Sequence, residues 1–330
     1  MNQPLTHGFT AVDQQSRPGE FVRVLDTLTA EPFYTAYKQR LRELLHPVPG
    51  GLYLDAGSGV GGSALALAEE YGSRVVAIDS SFTMTVESHT RGVPLVAAAD
   101  VHRLPFRDDS FDGAWADRVL QHVTDPEHAL AEMLRVIRPG GRIALADPDY
   151  DTQVLDIADQ ELARRVLRFR ADVQLRNGTF AHQHAGLLAS HHLVDVAVEA
   201  RTLVVRNPQE VDNYMGLRTW AHAAAEHGHL TYRTVRPDPG QQVSAQPGGG
   251  GRQAGGERGV GPAGQAGGER GKSHQSPSWG IVDRVSVAGC VRQDRGTCDR
   301  YVAGSASQAK RPVTVSQCKV AAMNVSTRSM

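Results

Sequence analysis

The sequence predicts an α/β fold in which a parallel sheet is covered by helices on both faces. Three observations carry this. Short β-rich runs alternate with helical patterns from Leu52 to Asp147, the alternation that βαβ units impose on a chain. The first run leads into a glycine-rich loop, LDAGSGVGG (Leu54–Gly62), where a strand turns tightly into a helix. Asp55, Asp79 and Asp100 stand at the carboxyl ends of three consecutive runs, and that end of an open α/β sheet is where ligands bind.

The first helix opens at Pro32, with Phe33, Tyr37, Leu41, Leu44 and Leu45 at three- and four-residue spacing and proline at a favoured first position. His46-Pro47 stops it. LYLDAG then gives a strand, Ala64–Tyr71 a helix and RVVAID (Arg74–Asp79) a second strand. A helix near Phe82–His89 precedes the strand PLVAAAD, which ends at Asp100, and FDGAWAD (Phe111–Asp117) is the fourth strand. Asp125-Pro126 opens a helix with Ala129, Leu130, Met133, Val136 and Ile137 on one face, and RPGG (Arg138–Gly141) turns the chain into RIALAD, ending at Asp147. Past Asp147 come an amphipathic stretch (Leu155–Val173), a polar loop at Asn177-Gly178 and a short helix around Ala185–Ser190. A strand (Val194–Val205) follows, then a helix capped by Asn207-Pro208 that carries Val211, Tyr214, Met215 and Trp220 to about Glu226.

The chain therefore divides into a flexible N-terminus (1–20), one domain (21–235) and a tail (236–330). The tail holds the near-repeat QAGGERG (Gln253–Gly259, Gln265–Gly271). Such a segment buries too little to offset its ordering entropy, so the tail is predicted to be disordered or aberrant.

Charge is balanced, with 35 basic and 36 acidic residues, which argues against a nucleic-acid or anionic-membrane partner. The balance hides an asymmetry: from Arg236 onward there are 13 Lys/Arg against 6 Asp/Glu, a basic tail on an acidic body. No apolar run approaches the ~18 residues of a membrane span, and the N-terminus lacks a signal-like apolar segment. A cytoplasmic protein is expected. Cys290, Cys298 and Cys318 all lie in the tail, and their odd number and spacing give neither a disulfide framework nor a zinc site.

Gly57, Gly59 and Gly62 satisfy G-x-G-x-x-G, and Asp79 follows about 20 residues on, as in a dinucleotide-binding fold. The loop alone decides little. Asp55, two residues before Gly57, opposes a pyrophosphate but suits a ligand with an ammonium group. Asp79 can accept both hydroxyls of a ribose. Asp100 can accept from an exocyclic amine while Val101 offers its backbone N–H. Together they describe an amine-bearing purine, a ribose and a cationic head, the parts of S-adenosylmethionine (SAM).

LDAGSGVGG, VVAIDSS, AADVHRLPF, SFDGAWADRVLQHVTDP and LRVIRPGGRIALAD resemble, in order and spacing, the class I SAM-dependent methyltransferases. They are most similar to the small-molecule branch that includes the ubiquinone/menaquinone-biosynthesis type, and the resemblance covers about Phe21 to Glu226. It implies that Asp55, Gly57, Ser58 and Gly59 hold the methionine portion and that Asp79 takes the ribose. Ser80 and Met84 are counted among the cofactor contacts. Asp100 and Val101 take the adenine, and Asp117 and Arg118 border methionine and substrate. It also implies a Rossmann-like sheet of seven strands, the last antiparallel and inserted between the fifth and sixth. Here the sequence departs from the pattern, because the glycine repeat stands where an apolar final strand is expected. Either GIVDRVSVAGCV (Gly280–Val291) supplies that strand or it is missing.

The implied reaction is methyl transfer to the oxygen, nitrogen or carbon of a small organic acceptor. Alignment carries much of such catalysis, and His122, just after the fourth strand, is the candidate base. Phe33 reads as core, although with Tyr34 it could form a lid. His182, His184, His191 and His192 lack metal-ligand spacing and read as a solvated helix edge near the acceptor, so no metal is expected. Substrate choice is expected to reside in Asp149–His192. Two rivals remain. A protein of the same fold, such as a cyclase, could bind SAM without transferring methyl. An NAD(P)-dependent oxidoreductase is opposed by Asp55, Asp100 and the lack of a Y-x-x-x-K pair.

Overall fold

The computed structural model describes residues 9–207, 210–212, 216–230 and 280–292, all within the unit Met1–Gln293. The strands are β1 (Leu52–Ala56), β2 (Arg74–Asp79), β3 (Leu95–Ala98), β4 (Phe111–Asp117), β5 (Ile137–Pro148), β6 (Val154–Asp156), β7 (Leu193–Val205) and β8 (Gly280–Arg292). They form one mixed sheet in the order β3-β2-β1-β4-β5-β8. The first five are mutually parallel, with Asp55 beside Ala77 on β2 and Trp115 on β4. β8 runs antiparallel to β5 on one side, Ala144 facing Gly289, and to β7 on the other, Val198 facing Ala288. The three-residue β6 continues the β5 flank, Leu155 facing Ile281.

The inserted antiparallel strand is thus present, and GIVDRVSVAGCV supplies it. The segment from residue 236, expected to be disordered or aberrant, therefore contains one strand, the first of the two alternatives the sequence left open. Val287, Ala288 and Cys290 are fully buried, which the alternation of a strand covered on both faces permits. Without β8, both β5 and β7 would present unpaired ladder groups. The glycine repeat itself lies outside the described residues.

Helices α1 (Gly19–Ala30), α2 (Pro32–Leu44), α3 (Gly62–Tyr71), α4 (Phe82–Thr90), α5 (Pro126–Val136), α6 (Gln160–Phe169), α7 (His184–Ser190) and α8 (Leu217–Glu226) cover the sheet. Strand alternation sorts the core in two. Tyr53, Val75, Trp115, Ala144 and Val287 pack with residues of α2, α3, α6 and α8. Leu54, Ile78, Ala114, Ile143 and Ala288 pack with residues of α5 and α7. Phe33 joins the first core only as a partly buried residue. Tyr214 and Met215, expected on the helix that follows Asn207-Pro208, lie outside the described residues.

The predicted bounds of β2 and β4 hold to the residue. Asp125 caps α5 as its sequence suggests, accepting the His128 N–H at 2.9 Å, with Pro126 at the first turn. Two segments differ. RPGG lies inside β5, where a register shift opposite Phe111–Gly113 absorbs the turn. The stretch expected to be one amphipathic run, Leu155–Val173, divides into β6, α6 and a π-helical turn, Arg170–Gln174.

Structure also begins before Phe21. A 3-10 turn (Val12–Gln14) buries Val12 against Phe21, Val60 and Met84. Asp13 beside it accepts the Ser81 hydroxyl (2.8 Å) and the N–H groups of Phe82 (2.7 Å) and Thr83 (3.0 Å). A carboxylate from residues expected to be flexible thereby closes the N-terminus of α4.

Candidate cofactor and acceptor site

The turn after β1 needs glycine for conformation as well as space. Gly57, Gly59 and Gly61 all have positive φ, a region that side chains disfavour. A Cβ on Gly57 would run into Val119. Gly62, the third glycine of the dinucleotide-type spacing, begins α3, and a Cβ there would meet nothing within 4 Å. The geometry therefore requires G-x-G-x-G. The N–H groups of Gly57 and Ser58 both donate to the Ile78 carbonyl at 2.8 Å, fixing the turn against β2.

Four acids stand at successive strand ends. Asp55 is buried, and its Oδ2 has no hydrogen-bond partner among the described residues. Burial pushes its carboxyl well above the usual range; Lys38 and Arg42 oppose this, while Asp117 and Asp79 add to it. A cation beside Asp55 would relieve that cost, so the site fits the ammonium group of SAM. Asp79 accepts the Gly59 N–H on Oδ2 and the Ser81 N–H on Oδ1, each at 2.9 Å. Burial raises its pKa against those two bonds. Each oxygen keeps a lone pair for a ligand hydroxyl.

Asp100 is exposed and paired with His102. Its Oδ1 accepts the His102 backbone N–H (2.9 Å) and lies 2.6 Å from the ring Nδ1. The Asp125 N–H, which can only donate, points to the ring Nε2 at 3.2 Å. Nε2 therefore accepts and Nδ1–H donates to Asp100. Burial raises the Asp100 pKa, and the His102 contacts outweigh it, leaving the carboxyl below its usual value. Val101 beside it is buried.

Asp117 is held from α2. The Tyr37 hydroxyl donates to Oδ1 at 3.0 Å and Lys38 Nζ lies 2.7 Å from Oδ2. Nothing in the spacing of the strand motifs exposes these anchors, because they belong to another element. Arg118 has φ 62°, a strained conformation for a long side chain, and its N–H donates to the Ala146 carbonyl at 2.6 Å.

His122 is partly buried, and its ring stacks on Phe9 with centroids 6.1 Å apart. Its N–H donates to Val119, and Arg176 donates to its carbonyl at 3.1 Å. Ser58 and Met84 are also enclosed: the Ser58 hydroxyl is buried, and Met84 lies in the apolar cluster with Val12 and Phe21. Ser80 is exposed.

The histidines of the cover segment do not form one solvated edge. His184 is buried, with Nε2 3.3 Å from Asp147 Oδ2 at the end of β5; Asp147 Oδ1 accepts the Gln121 N–H at 3.3 Å. His182 Nε2 lies 2.6 Å from Asp149 Oδ1. Two alternate residues of the cover thus meet two alternate acids at the carboxyl end of β5; His182, like His191 and His192, is itself exposed. Only the fold reveals this, because the burial of Asp147 and Asp149 is set by the sheet and not by local pattern. No group of three or more His, Cys, Asp or Glu suited to a metal occurs among the described residues.

Residues 54–145 match the family described as "Methyltransferase domain". The chain is 38% identical over 215 residues to a 37.1 kDa protein of transposon TN4556 from Streptomyces fradiae, covering 63% of this chain and 62% of that one. It is 31% identical over 153 residues to the demethylmenaquinone methyltransferase of Corynebacterium kroppenstedtii, covering 43% and 65%. Each alignment spans less than two thirds of the relative's length. Among solved structures, Haemonchus contortus phosphoethanolamine N-methyltransferase 2, in complex with SAM, aligns with TM-score 0.51 at 14% identity, covering 87% of this chain and 60% of that one. That likeness is one of fold.

Proposed function

We propose that this chain, which carries a class I SAM-dependent methyltransferase domain, transfers the methyl group of SAM to a small organic acceptor. The observation that carries this is the buried, unpartnered Oδ2 of Asp55 beside the Gly57–Gly61 turn. An isolated buried carboxylate is costly unless a cation meets it. A dinucleotide pyrophosphate at that place would add repulsion.

SAM, when bound, supplies a sulfonium methyl already activated for transfer. Asp55 meets the ammonium group, Asp79 the ribose hydroxyls, and Asp100 with Val101 the adenine edge. Ser58 and Ser80 border the same ligand, and Met84 supports the α4 turn from beneath. Asp117, fixed by Tyr37 and Lys38, holds α2 over the methionine end. His122, after β4, takes the proton released by the acceptor, and the cover segment Asp149–His192 excludes water and shapes the acceptor cavity. The acceptor is a small molecule in the specialised-metabolite or quinone class, not a nucleic acid, in keeping with the balanced charge. No helix among the described residues is long and apolar enough to cross a membrane, and we place the reaction in the cytoplasm.

Thermal shift with SAM, S-adenosylhomocysteine (SAH) and NADH tests this reading. Ligand binding to the native state alone raises Tm. SAM and SAH should do so and NADH should not; stabilisation by NADH alone would sink the reading. Methyl transfer to any acceptor then separates the enzyme from a cyclase of the same fold.

A further inference from the structure

The acceptor side of the crevice has an unusual balance of charge. Three carboxylates stand there, and each already has a cationic or hydrogen-bonding neighbour. Asp117 has Lys38 and Tyr37, Asp147 has His184 and the Gln121 N–H, and Asp149 has His182. The guanidinium of Arg118 is different. It makes no hydrogen bond or ion pair among the described residues, and its recorded contact is the Tyr34 ring, 5.5 Å from centroid to Cζ.

Its electrostatic neighbours are Tyr34, Tyr150 and Tyr37 and, more weakly, the Asp117 carboxylate, which already belongs to Lys38 and Tyr37. Tyr150 also carries a second guanidinium, that of Arg170, 4.7 Å over its ring, while the other side of Arg170 lies 3.0 Å from the Trp220 centroid. Arg170 is buried. Just along the π-helical turn, Gln174 is buried, and neither amide atom has a partner among the described residues. Tyr150 thus stands between two guanidinium groups, and the amide of Gln174 follows Arg170 on the same turn. The strained backbone of Arg118, pinned to Ala146, aims a rigid five-donor fork that matches oxyanions better than any other side chain.

We propose that Arg118 is the anchor of an acceptor-binding subsite and that the acceptor bears an anionic oxygen group, a carboxylate or a phosphate, on an apolar frame. The inference rests on the methyl-transfer reading and names the substrate class of that site. Arg170 and Tyr150 form the far wall of the subsite, and Gln174 completes it.

The test is titration calorimetry on the full chain loaded with SAH, using 2-naphthoate, 2-naphthyl phosphate and the neutral 2-naphthamide. At least one anion should bind about tenfold more tightly than the amide, the worth of one charge-assisted contact; the tighter of the two tells carboxylate from phosphate. Arg118→Met should erase that preference while lowering SAH affinity by less than it lowers that of the anion, and Arg118→Lys should keep part of it. Equal binding of anions and amide to the wild-type chain overturns the proposal, and this comparison needs no variant. A loss of SAH affinity in Arg118→Met matching the loss for the anion also overturns it, by placing the guanidinium on the cofactor. Failure of the wild-type chain to bind SAH at all would instead overturn the methyl-transfer reading, and this proposal with it.

Discussion

Asp79 and Gly59 are joined by a 2.9 Å hydrogen bond from the glycine N–H to the carboxylate Oδ2, which locks the end of β2 to the turn after β1. The same carboxylate accepts the Ser81 N–H, so one side chain organises both the glycine turn and the start of α4. Asp79→Ala removes the ribose acceptor and loosens the turn around the methionine end. With hydrogen bonds to charged groups worth about 1.5–3 kcal/mol, SAM affinity should fall roughly ten- to a hundredfold. Calorimetry on a variant with wild-type circular dichroism measures it, and unchanged affinity would refute the ribose role.

Asp13 closes α4 from outside the helix. Burial raises its pKa, and the bonds from Thr83, Ser81 and Phe82 outweigh this, bringing the carboxyl to about 2. A folded pKa below the unfolded value means stability that is present above about pH 4 and lost as pH falls toward 2. Asp13→Ala should therefore cost about 1 kcal/mol near neutrality, the usual worth of a helix cap. The difference in Tm between variant and wild type should shrink between pH 4 and pH 2. A difference that stays constant across that window would show that the charge plays no part.

Local pattern carried the parallel half of the fold. β2 and β4 are short runs whose acids mark their ends, and Asp125-Pro126 announces α5 within four residues. The acids of the site were legible for the same reason: each follows a strand that the eye can find. Contacts made across the fold were not legible. Asp13 reads as one acid in a polar leader, because its partners Ser81, Phe82 and Thr83 lie some 70 residues away. Tyr37 reads as helix core, and nothing near it or Lys38 points to Asp117. His184 sits in a histidine-rich stretch that looks solvated, yet Asp147 draws it into the interior. The G-x-G-x-x-G spacing misled in a small way, since chain conformation makes Gly61, and not Gly62, the third required glycine.

β8 can be checked through its own cysteine. Cys290 is buried, and burial pushes its thiol up to about 12, against a weaker opposing effect of Arg142. The thiolate is the reactive species, so at pH 8 iodoacetamide should label Cys290 at least about a hundredfold more slowly in the native chain than in urea, given a pKa about three units above that of a free thiol. Peptide mass spectrometry separates it from Cys298 and Cys318. Equal rates in both conditions would remove residues 280–292 from the sheet.

The pair at the end of β5 makes an asymmetric prediction. Asp147 and His184 are both about 1% exposed, and burial raises the Asp147 pKa while His184 lowers it. Removing His184 would leave a carboxylate in the interior with only the Gln121 N–H to meet it, and breaking a buried pair from one side costs about 3–5 kcal/mol. His184→Ala should accordingly lower Tm sharply. Replacing the acid by its neutral isostere removes the charge that needed a partner, so Asp147→Asn should cost far less. In the double variant, Asp147→Asn should recover much of the stability lost in His184→Ala, because the unpaired charge is gone. Urea unfolding of the four proteins closes that cycle. If the two single losses simply add, the pair is not coupled, and the cover segment is held by its other contacts, among them Arg176 on the His122 carbonyl and the apolar Phe180 and Leu188.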